Sequence, residues 1–264
     1  MPETFFGWVL FILQKYGNMF LIGTYRTMGI ALSGTIIGFM LGLLVAIARV
    51  IELRAGAGLL KRGALRSLKV ALSAYIEVFR GTPMMVQAML IYYGSLQYLN
   101  LDMTALTAAI VTVSINTGAY MAEIVRGGII SIDKGQAEAA KSIGMTHWQA
   151  MVYIVLPQAV RNIMPSIGNE FVVNIKDSSV LNVISVAELY FNSKSAAGTY
   201  LRYFEVFFIT AAIYFALTFT VTRILRLLEK KMEGPDSYTI HGSQSHPQAA
   251  IMIRKRGSAW LRRS

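Results

Sequence analysis

The longest uncharged stretch of the chain runs from Thr27 to Ala48 and consists of apolar and small residues. A transmembrane helix needs roughly 20 consecutive, mainly apolar residues, so this stretch predicts a helix that crosses a membrane. The composition agrees, because 55% of the residues are hydrophobic and 15% are charged, against about a quarter in soluble domains. The sequence therefore predicts an all-α membrane protein.

Four more apolar stretches follow, which gives a prediction of five transmembrane helices. They cover residues 84–99, 104–122, 151–173 and 206–221. The first of these begins after the break Arg80-Gly81-Thr82-Pro83. The stretch 151–173 contains Pro157, Arg161 and Pro165, which predicts an irregular helix packed against other protein helices.

The distribution of charge divides the chain into three parts. Residues 1–18 form an external or interfacial segment, in which the apolar run Phe5 to Leu13 predicts a short interfacial helix. Residues 19–230 form the transmembrane domain. Residues 231–264 form a basic tail that we predict to be disordered or held to anionic lipid headgroups.

Basic residues predict the orientation in the membrane. Arg49 to Lys69 holds six of them, Arg126 to Lys141 holds three and Arg223 to the chain end holds nine. Because cytoplasmic loops carry an excess of Lys and Arg, we expect the N-terminus outside and the C-terminus in the cytoplasm. The net charge of +11 then follows from topology and does not indicate a nucleic-acid partner, since the cations are not interleaved with aromatic residues on a soluble face.

Motifs for catalysis or metal binding are missing from the sequence. It has no cysteine and no G-x-x-x-x-G-K-[ST] phosphate loop. His147, His241 and His246 have no metal-ligand spacing. We therefore expect a protein that is not an enzyme and has no metal or cofactor of its own.

Three glycines, Gly34, Gly38 and Gly42, lie four residues apart in the first predicted span. Such a stripe of small residues lets another helix approach closely. Packing within the same chain is the first interpretation, and a subunit interface is the alternative.

The loop between the third and fourth spans predicts a short helix, a turn and an ascending helix. Residues 136–142 favour a helix, Gly144 ends it, and Thr146 can cap the next one. The short helix would lie parallel to the membrane with Ala139 and Ala140 exposed, where it could seat in a groove of a soluble partner. An ordinary connecting loop is the alternative.

The spacing E-A-A-x3-G-x9-I-x-L-P, which runs from Glu138 to Pro157, resembles the cytoplasmic motif of permease subunits of ATP-binding-cassette (ABC) importers. Three flanking segments resemble the polar amino acid permeases, the group that serves histidine, glutamine and arginine. These segments are Glu77 to Gln87, Pro157 to Arg161 and Ile175 to Val180. The resemblance covers most of residues 20–230.

This resemblance implies a type I ABC importer permease fold in the bacterial cytoplasmic (inner) membrane. It implies a second permease subunit, identical or different, two ABC ATPase subunits that bind ATP and Mg, and an external substrate-binding protein. The coupling helix of the family maps onto Ser131 to Ala150, within the coupling loop 131–150. Four residues there, Glu138, Ala139, Ala140 and Gly144, would transmit closure of the ATPases to the transmembrane helices.

A substrate path can also be predicted from the residues. Thr112, Asn116, Tyr120 and Glu123 share one face of the third span, and such a polar stripe should face a cavity or a partner helix. In the fourth span Asn169, Glu170 and Asn174 precede Lys176-Asp177-Ser178-Ser179, which predicts a helix break. Free amides at Ser178 and Ser179 would receive a carboxylate, and Glu123 or Glu170 an amino group. Hydrogen bonding between helices without a ligand is the alternative.

Other functions remain as alternatives. The chain could import another small polar solute such as an opine, or act alone as a channel or ion-coupled carrier. An ion-coupled carrier is disfavoured because the chain has no second half that would form an inverted repeat. A membrane enzyme and a nucleic-acid-binding module are weaker alternatives.

Overall fold

The computed structural model describes residues 2–51 and 58–232, and in this part of the chain every regular element is helical. The α-helices are α1 (Phe5–Val50), α2 (Leu59–Gly81), α3 (Met84–Leu99), α4 (Ala105–Ile130), α5 (Lys134–Ser142), α6 (His147–Ala150), α7 (Leu156–Asp177), α8 (Leu189–Tyr200) and α9 (Tyr203–Met232). A π-helical turn, Met151–Val155, precedes α7, and a 3₁₀ helix, Ser178–Ile184, follows it. The predicted basic tail beyond residue 232, with His241 and His246, lies outside the described residues.

The first helix is longer than predicted. Thr4 caps it by accepting a hydrogen bond from the Gly7 amide at 3.2 Å, and it continues without a break to Val50. The predicted short helix 5–13 and the first span are therefore one helix. The reason is that the residues between them include no proline, and single charged residues and glycines do not end a helix.

Close packing of α1 against α4 forms the centre of the fold. A Cβ added to Gly34 would lie 2.3 Å from Val113 Cγ1, and one added to Gly38 would lie 2.7 Å from Thr117 Cβ. At Gly42 the corresponding distance to Met121 Cβ is 2.5 Å. The glycine stripe therefore packs within the chain, as in the first interpretation, because only glycine leaves room for α4.

The predicted break at Thr82 and Pro83 is confirmed and separates α2 from α3. Two side chains bind the backbone groups that the break leaves open. Gln87 Nε2 donates to Phe79 O and Thr82 O, each at 2.9 Å. Asn116 Nδ2 of α4 donates to Phe79 O at 3.2 Å and to Gln87 Oε1 at 2.9 Å. The break is thus satisfied inside the protein, as a membrane environment requires.

Polar contacts join α7 to the α1–α4 pair. Asn174 Nδ2 donates to Thr35 Oγ1 at 2.9 Å and to Thr117 Oγ1 at 3.0 Å, and all three residues are buried. The prolines of this region predict an irregular helix, and the structure has a π-helical turn just before Pro157. Helix α7 continues through Pro165.

Three of the described helices are long and apolar enough to cross a membrane. They comprise Phe5–Arg49, Ala105–Ile130 and Tyr203–Lys231. The other two predicted spans correspond to α3, which the break separates from α2, and to the π-helical turn with most of α7, which carries more polar residues.

A Gly38→Val variant should reduce the stability of the fold. Its side chain would overlap Thr117, and overpacking of this kind costs about 1–3 kcal/mol. Thermal unfolding of the purified protein in detergent should therefore show a lower melting temperature. Gly29→Val is the matched control, because Gly29 lies on the same helix with no atom within 4 Å of its Cβ position. Equal melting temperatures for the two variants would contradict the packing account.

Candidate functional site

The loop between α4 and α7 has the predicted helix, turn and second helix. Asp133 caps α5 by accepting from the Gly135 amide at 2.7 Å. Gly144 ends the turn with φ +88°, a conformation that L side chains rarely adopt. The amide of Met145 donates to Ala140 O at 3.1 Å, which closes the C-terminus of α5.

Thr146 starts the second helix with a capping box. Its Oγ1 accepts from the Gln149 amide at 3.2 Å, and its amide donates to Gln149 Oε1 at 2.8 Å. The next residues form the π-helical turn that leads into α7. A continuous helical path therefore runs from Thr146 into the long helix α7.

The structure separates the four predicted coupling residues into exposed and buried ones. Glu138, Ala139 and Gly144 are exposed, whereas Ala140 is 5% exposed. The expectation that both alanines are exposed is therefore wrong for Ala140. Adjacent helical residues point about 100° apart, so Ala140 faces the chain leading into α7 while Ala139 faces outward.

Three large apolar side chains in and directly after this loop are exposed, because no described residue packs over them. Ile143 is 80% exposed, Trp148 73% and Tyr153 68%. The sequence interpretation did not single them out, although large apolar residues in a loop rich in polar ones were a usable signal. A partly apolar exposed surface beside a charged helix is typical of a docking surface.

The polar stripe of α4 is only partly available to a ligand. Thr112 is completely buried and donates to Ala108 O at 2.7 Å within its own helix. Asn116 binds the α2–α3 break. These two residues follow the alternative interpretation, in which polar groups bind between or within helices.

Glu123 lies about two turns before the end of α4, between two arginines. Arg126 Nη2 donates to its Oε2 at 2.7 Å, and Arg49 Nη1 from the end of α1 donates to its Oε1. Both carboxylate oxygens are therefore occupied by cations of the same chain. The structure places Glu123 in a contact between α1 and α4.

The predicted change of helix near Ser178 is confirmed, because α7 ends at Asp177 and a 3₁₀ helix begins at Ser178, but the prediction of a free amide at Ser178 is wrong. The amide of Ser178 donates to Asn174 O and Lys176 O, so the chain passes from α7 directly into the 3₁₀ helix. Polar side chains compensate locally, because Ser178 Oγ donates to Ile175 O at 3.0 Å and Asn182 Nδ2 donates to Ser179 O at 2.8 Å. The Ser178 amide is therefore not free to bind a carboxylate.

Charged side chains of α2 and α7 and the Tyr120 ring of α4 form a second group of polar residues. The Arg80 guanidinium from the end of α2 lies 5.2 Å from the centre of the Tyr120 ring on α4. The charges of Arg80 and Asp177 both act on the Glu170 carboxylate of α7. We call Arg80, Tyr120, Glu170 and Asp177 the charged cluster.

Sequence reasoning identified Tyr120 and Glu170 but missed Arg80 and Asp177. Arg80 was interpreted only as part of a break, and Asp177 only as a helix-disfavouring residue. The available signal was the placement of ionisable side chains beside apolar stretches, which is expensive in a membrane and marks functional sites. The cluster offers both charge signs, as a zwitterionic ligand requires.

Comparison with known proteins gives a family and several relatives that match most of the chain. Residues 38–234 match the family described as the binding-protein-dependent transport system inner membrane component. The glutamine transport system permease protein GlnP of Escherichia coli (strain K12) is 37% identical over 80% of this chain and 91% of its own length. The arginine transport system permease protein ArtQ of Bacillus subtilis (strain 168) is 33% identical over 81% and 92%.

Solved structures share the fold. A crystal structure described as an amino acid ABC transporter with histidines has a TM-score of 0.76 and 38% identity, and the match covers 88% of this chain and all of that one. An inward-facing structure of the MetNI methionine ABC transporter has a TM-score of 0.66 at 18% identity, over 81% of this chain and 96% of that one, which shows the fold alone. By its matched residues and its fold, the chain belongs to the family of binding-protein-dependent transport system inner membrane components.

Proposed function

We propose that the chain is the transmembrane permease subunit of an ATP-driven importer of a polar amino acid. The observation that carries this proposal is the coupling loop, in which a glycine turn at φ +88° joins an exposed helix to α7. The names of the relatives support the cargo, since they are glutamine and arginine transport permeases. The 38% identity to a solved amino acid ABC transporter supports it further.

The family supports the following proposed assembly. Two ABC ATPase subunits bind ATP and Mg and carry out hydrolysis, a second permease subunit completes the path, and an external binding protein delivers the cargo. This chain then supplies no catalytic group and holds no metal or cofactor. Within it, residues 1–18 form the external or interfacial segment, 19–230 the transmembrane domain with coupling loop 131–150, and 231–264 the cytoplasmic tail.

The proposed topology has five spans in the cytoplasmic membrane: α1, α3, α4, the π-helical turn with α7, and α9. The N-terminus is outside and the C-terminus in the cytoplasm, which brings the basic ends of α1 and α9 to the cytoplasmic side.

A cysteine in place of Ser142 should test this orientation. The sequence contains no other cysteine, and Ser142 is exposed at the end of α5. We expect a membrane-impermeant thiol reagent to label it in inside-out vesicles and not in intact cells. Leu101→Cys, in the loop between α3 and α4, is the matched control and should give the opposite pattern. Labelling of the Ser142 cysteine from outside would contradict the topology.

Coupling depends on the turn between α5 and α6. Glu138, Ala139 and Gly144 form its exposed side, while Ala140 packs inward and supports the helix. We propose that this exposed side seats in a groove of an ATPase subunit. Nucleotide-driven movement of the ATPase then enters α7 through Thr146 and the π-helical turn, which are continuous with it.

Gly144→Asp should therefore uncouple the complex. The space around the Gly144 Cβ position is open, so the damage is backbone strain of the order of 1 kcal/mol or more at one exposed turn. We expect the subunit to assemble in the membrane while substrate-stimulated ATP hydrolysis is lost. Gly63→Asp is the matched control, because Gly63 has open space and ordinary helical φ. Normal transport by Gly144→Asp would refute the assignment.

The charged cluster is the proposed substrate contact of this subunit. Arg80 receives the carboxylate of the amino acid, and Glu170 with Asp177 receives its amino group or a basic side chain. Tyr120 contributes its hydroxyl and ring, and Asn116 holds the α2–α3 break that positions Arg80. Each charge of a zwitterion then meets an opposite charge, which offsets the desolvation cost of several kcal/mol per ion.

Arg80→Gln and Glu170→Gln should each lower transport by at least about tenfold, the effect of losing about 1.4 kcal/mol of binding. Glu170→Gln should also change the preference among amino acids of different charge. Glu123→Gln is the matched control, because its partners are Arg49 and Arg126. It should lower the melting temperature and leave selectivity unchanged. Transport assays with a panel of amino acids measure this, and unchanged selectivity and rate in both cluster variants would place the cargo site elsewhere.

A further inference from the structure

A buried carboxylate outside the charged cluster joins three helices. Glu188 is 0% exposed and caps the N-terminus of α8. Its Oε1 accepts from the Phe191 amide at 2.8 Å, and its Oε2 accepts from the Tyr190 amide at 3.0 Å. Thr27 Oγ1 of α1 donates to Oε2 at 3.2 Å, and the Tyr214 hydroxyl of α9 donates to it at 3.0 Å. One side chain therefore binds α8 to both α1 and α9.

The hydrogen bonds require a carboxylate at this position. Each of its two oxygens accepts a backbone N–H, so a glutamine amide in either orientation would place its NH₂ group against an N–H. The Thr27 hydroxyl also accepts from the Leu189 amide at 3.3 Å, which leaves its proton for Glu188. Burial raises the pKa of Glu188, and the four hydrogen bonds favour its charged form.

Other contacts hold α8 against α1 on both sides of Glu188. Arg26 Nη1 donates to Ala187 O at 3.0 Å, and Asn192 Nδ2 donates to Met19 O at 2.9 Å. A Cβ added to Gly23 would lie 2.8 Å from Leu189 Cα, so the two backbones are in direct contact. There is no room for α8 to slide along α1 without losing these contacts.

The chain between α7 and Glu188 is not α-helical. It is the 3₁₀ helix, followed by Ser185 in the left-handed region at φ +61°. A 3₁₀ stretch within a helical path often marks a hinge, because its hydrogen bonds have poorer geometry than those of an α-helix. The opposite end of α7 carries the coupling loop. Helix α7 thus has the coupling loop at its N-terminal end and the 3₁₀ hinge at its C-terminal end.

We propose that Glu188 is a positioning residue that fixes α8 to α1 and α9, so that motion entering α7 from the coupling loop bends the 3₁₀ helix and does not displace α8. This inference rests on the proposed function, since it presumes a loop driven by ATPases. We call the contact of Glu188 with Thr27 and Tyr214 the anchor. The anchor turns a movement of the loop into a tilt of α7, which carries Glu170 and Asp177.

The first test compares Glu188→Gln with unaltered chain in the complete complex, reconstituted with its ATPase and binding-protein partners. Transport and ATP hydrolysis are measured on the same vesicles. In this variant the glutamine NH₂ group opposes a backbone N–H of α8, which releases α8. We therefore expect the amount transported per ATP hydrolysed to fall about tenfold. A residue needed only for folding would lower both rates together and leave their ratio unchanged.

Thr210→Val is the matched control. It removes the buried hydrogen bond from Thr210 Oγ1 of α9 to Ser193 Oγ of α8, at 2.7 Å, and does not touch Glu188. It should leave the transport per ATP unchanged. An unchanged ratio in Glu188→Gln, or an equal fall in Thr210→Val, would overturn the proposal.

The second test needs no assumption about folding of Glu188→Gln. Lys15 Nζ of α1 donates to the Tyr200 hydroxyl at the end of α8 at 2.5 Å, so cysteines at these two positions can be joined by a short bifunctional thiol reagent. If α8 stays fixed, the cross-linked complex should transport at the same rate as complexes that carry either single cysteine and receive the same treatment. Loss of transport confined to the cross-linked pair would overturn the anchor.

Cross-linking yield also separates the anchor from the proposed function. The yield of the Lys15→Cys/Tyr200→Cys pair can be measured without transport, and adding Glu188→Gln should lower it about tenfold. Adding Thr210→Val should not. An unaltered complex that fails to transport would contradict the proposed function, while the yield would still decide the anchor. An equal yield with and without Glu188→Gln contradicts the anchor.

Discussion

The contact between α1 and α4 is the constraint on which the rest of the structure depends. In a lipid environment, helices gain little from burying apolar surface, so close packing and buried hydrogen bonds hold them together. The stripe Gly34, Gly38 and Gly42 lets the α4 backbone approach α1 directly. Beside this stripe, the hydroxyls of Thr35 and Thr117 accept hydrogen bonds from the Asn174 side chain of α7. A rigid pair of helices thus provides the surface on which the third helix is positioned.

The candidate site is built on this scaffold from polar groups that serve two separate purposes. Gln87 and Asn116 satisfy the backbone at the α2–α3 break, and Glu123 joins α4 to the end of α1. Because these groups are already paired, we propose Arg80, which lies over the Tyr120 ring, together with Glu170 and Asp177 as the charged residues that contact a zwitterionic cargo. Helix α7 connects this charged cluster to the coupling loop, so a movement of the loop reaches the proposed cargo contact through one element.

Much of the fold follows from local chemistry and was predictable. The Thr82-Pro83 break, the Gly144 turn and the Thr146 cap are each set by residues within a few positions. The glycine stripe predicts a close helix approach, although its partner α4 lies far along the chain. The predictions failed either through a partner distant in sequence or through a local change of helix type. Periodicity placed Glu123 on a polar face but could not show that Arg49 occupies it. Polar residues at 176–179 disfavour an α-helix, yet a 3₁₀ helix accommodates them by satisfying the same amides with a tighter turn.

The central claim is that this chain moves a polar amino acid only when ATPases drive its coupling loop. The most direct measurement is uptake of radiolabelled amino acids by proteoliposomes that contain the chain with its ATPase and binding-protein partners, compared with vesicles that contain the chain alone. The account predicts uptake that requires ATP inside the vesicles together with both partners, and no uptake by the isolated chain. Amino acid uptake by the chain alone without ATP would contradict it and indicate a self-sufficient channel or carrier.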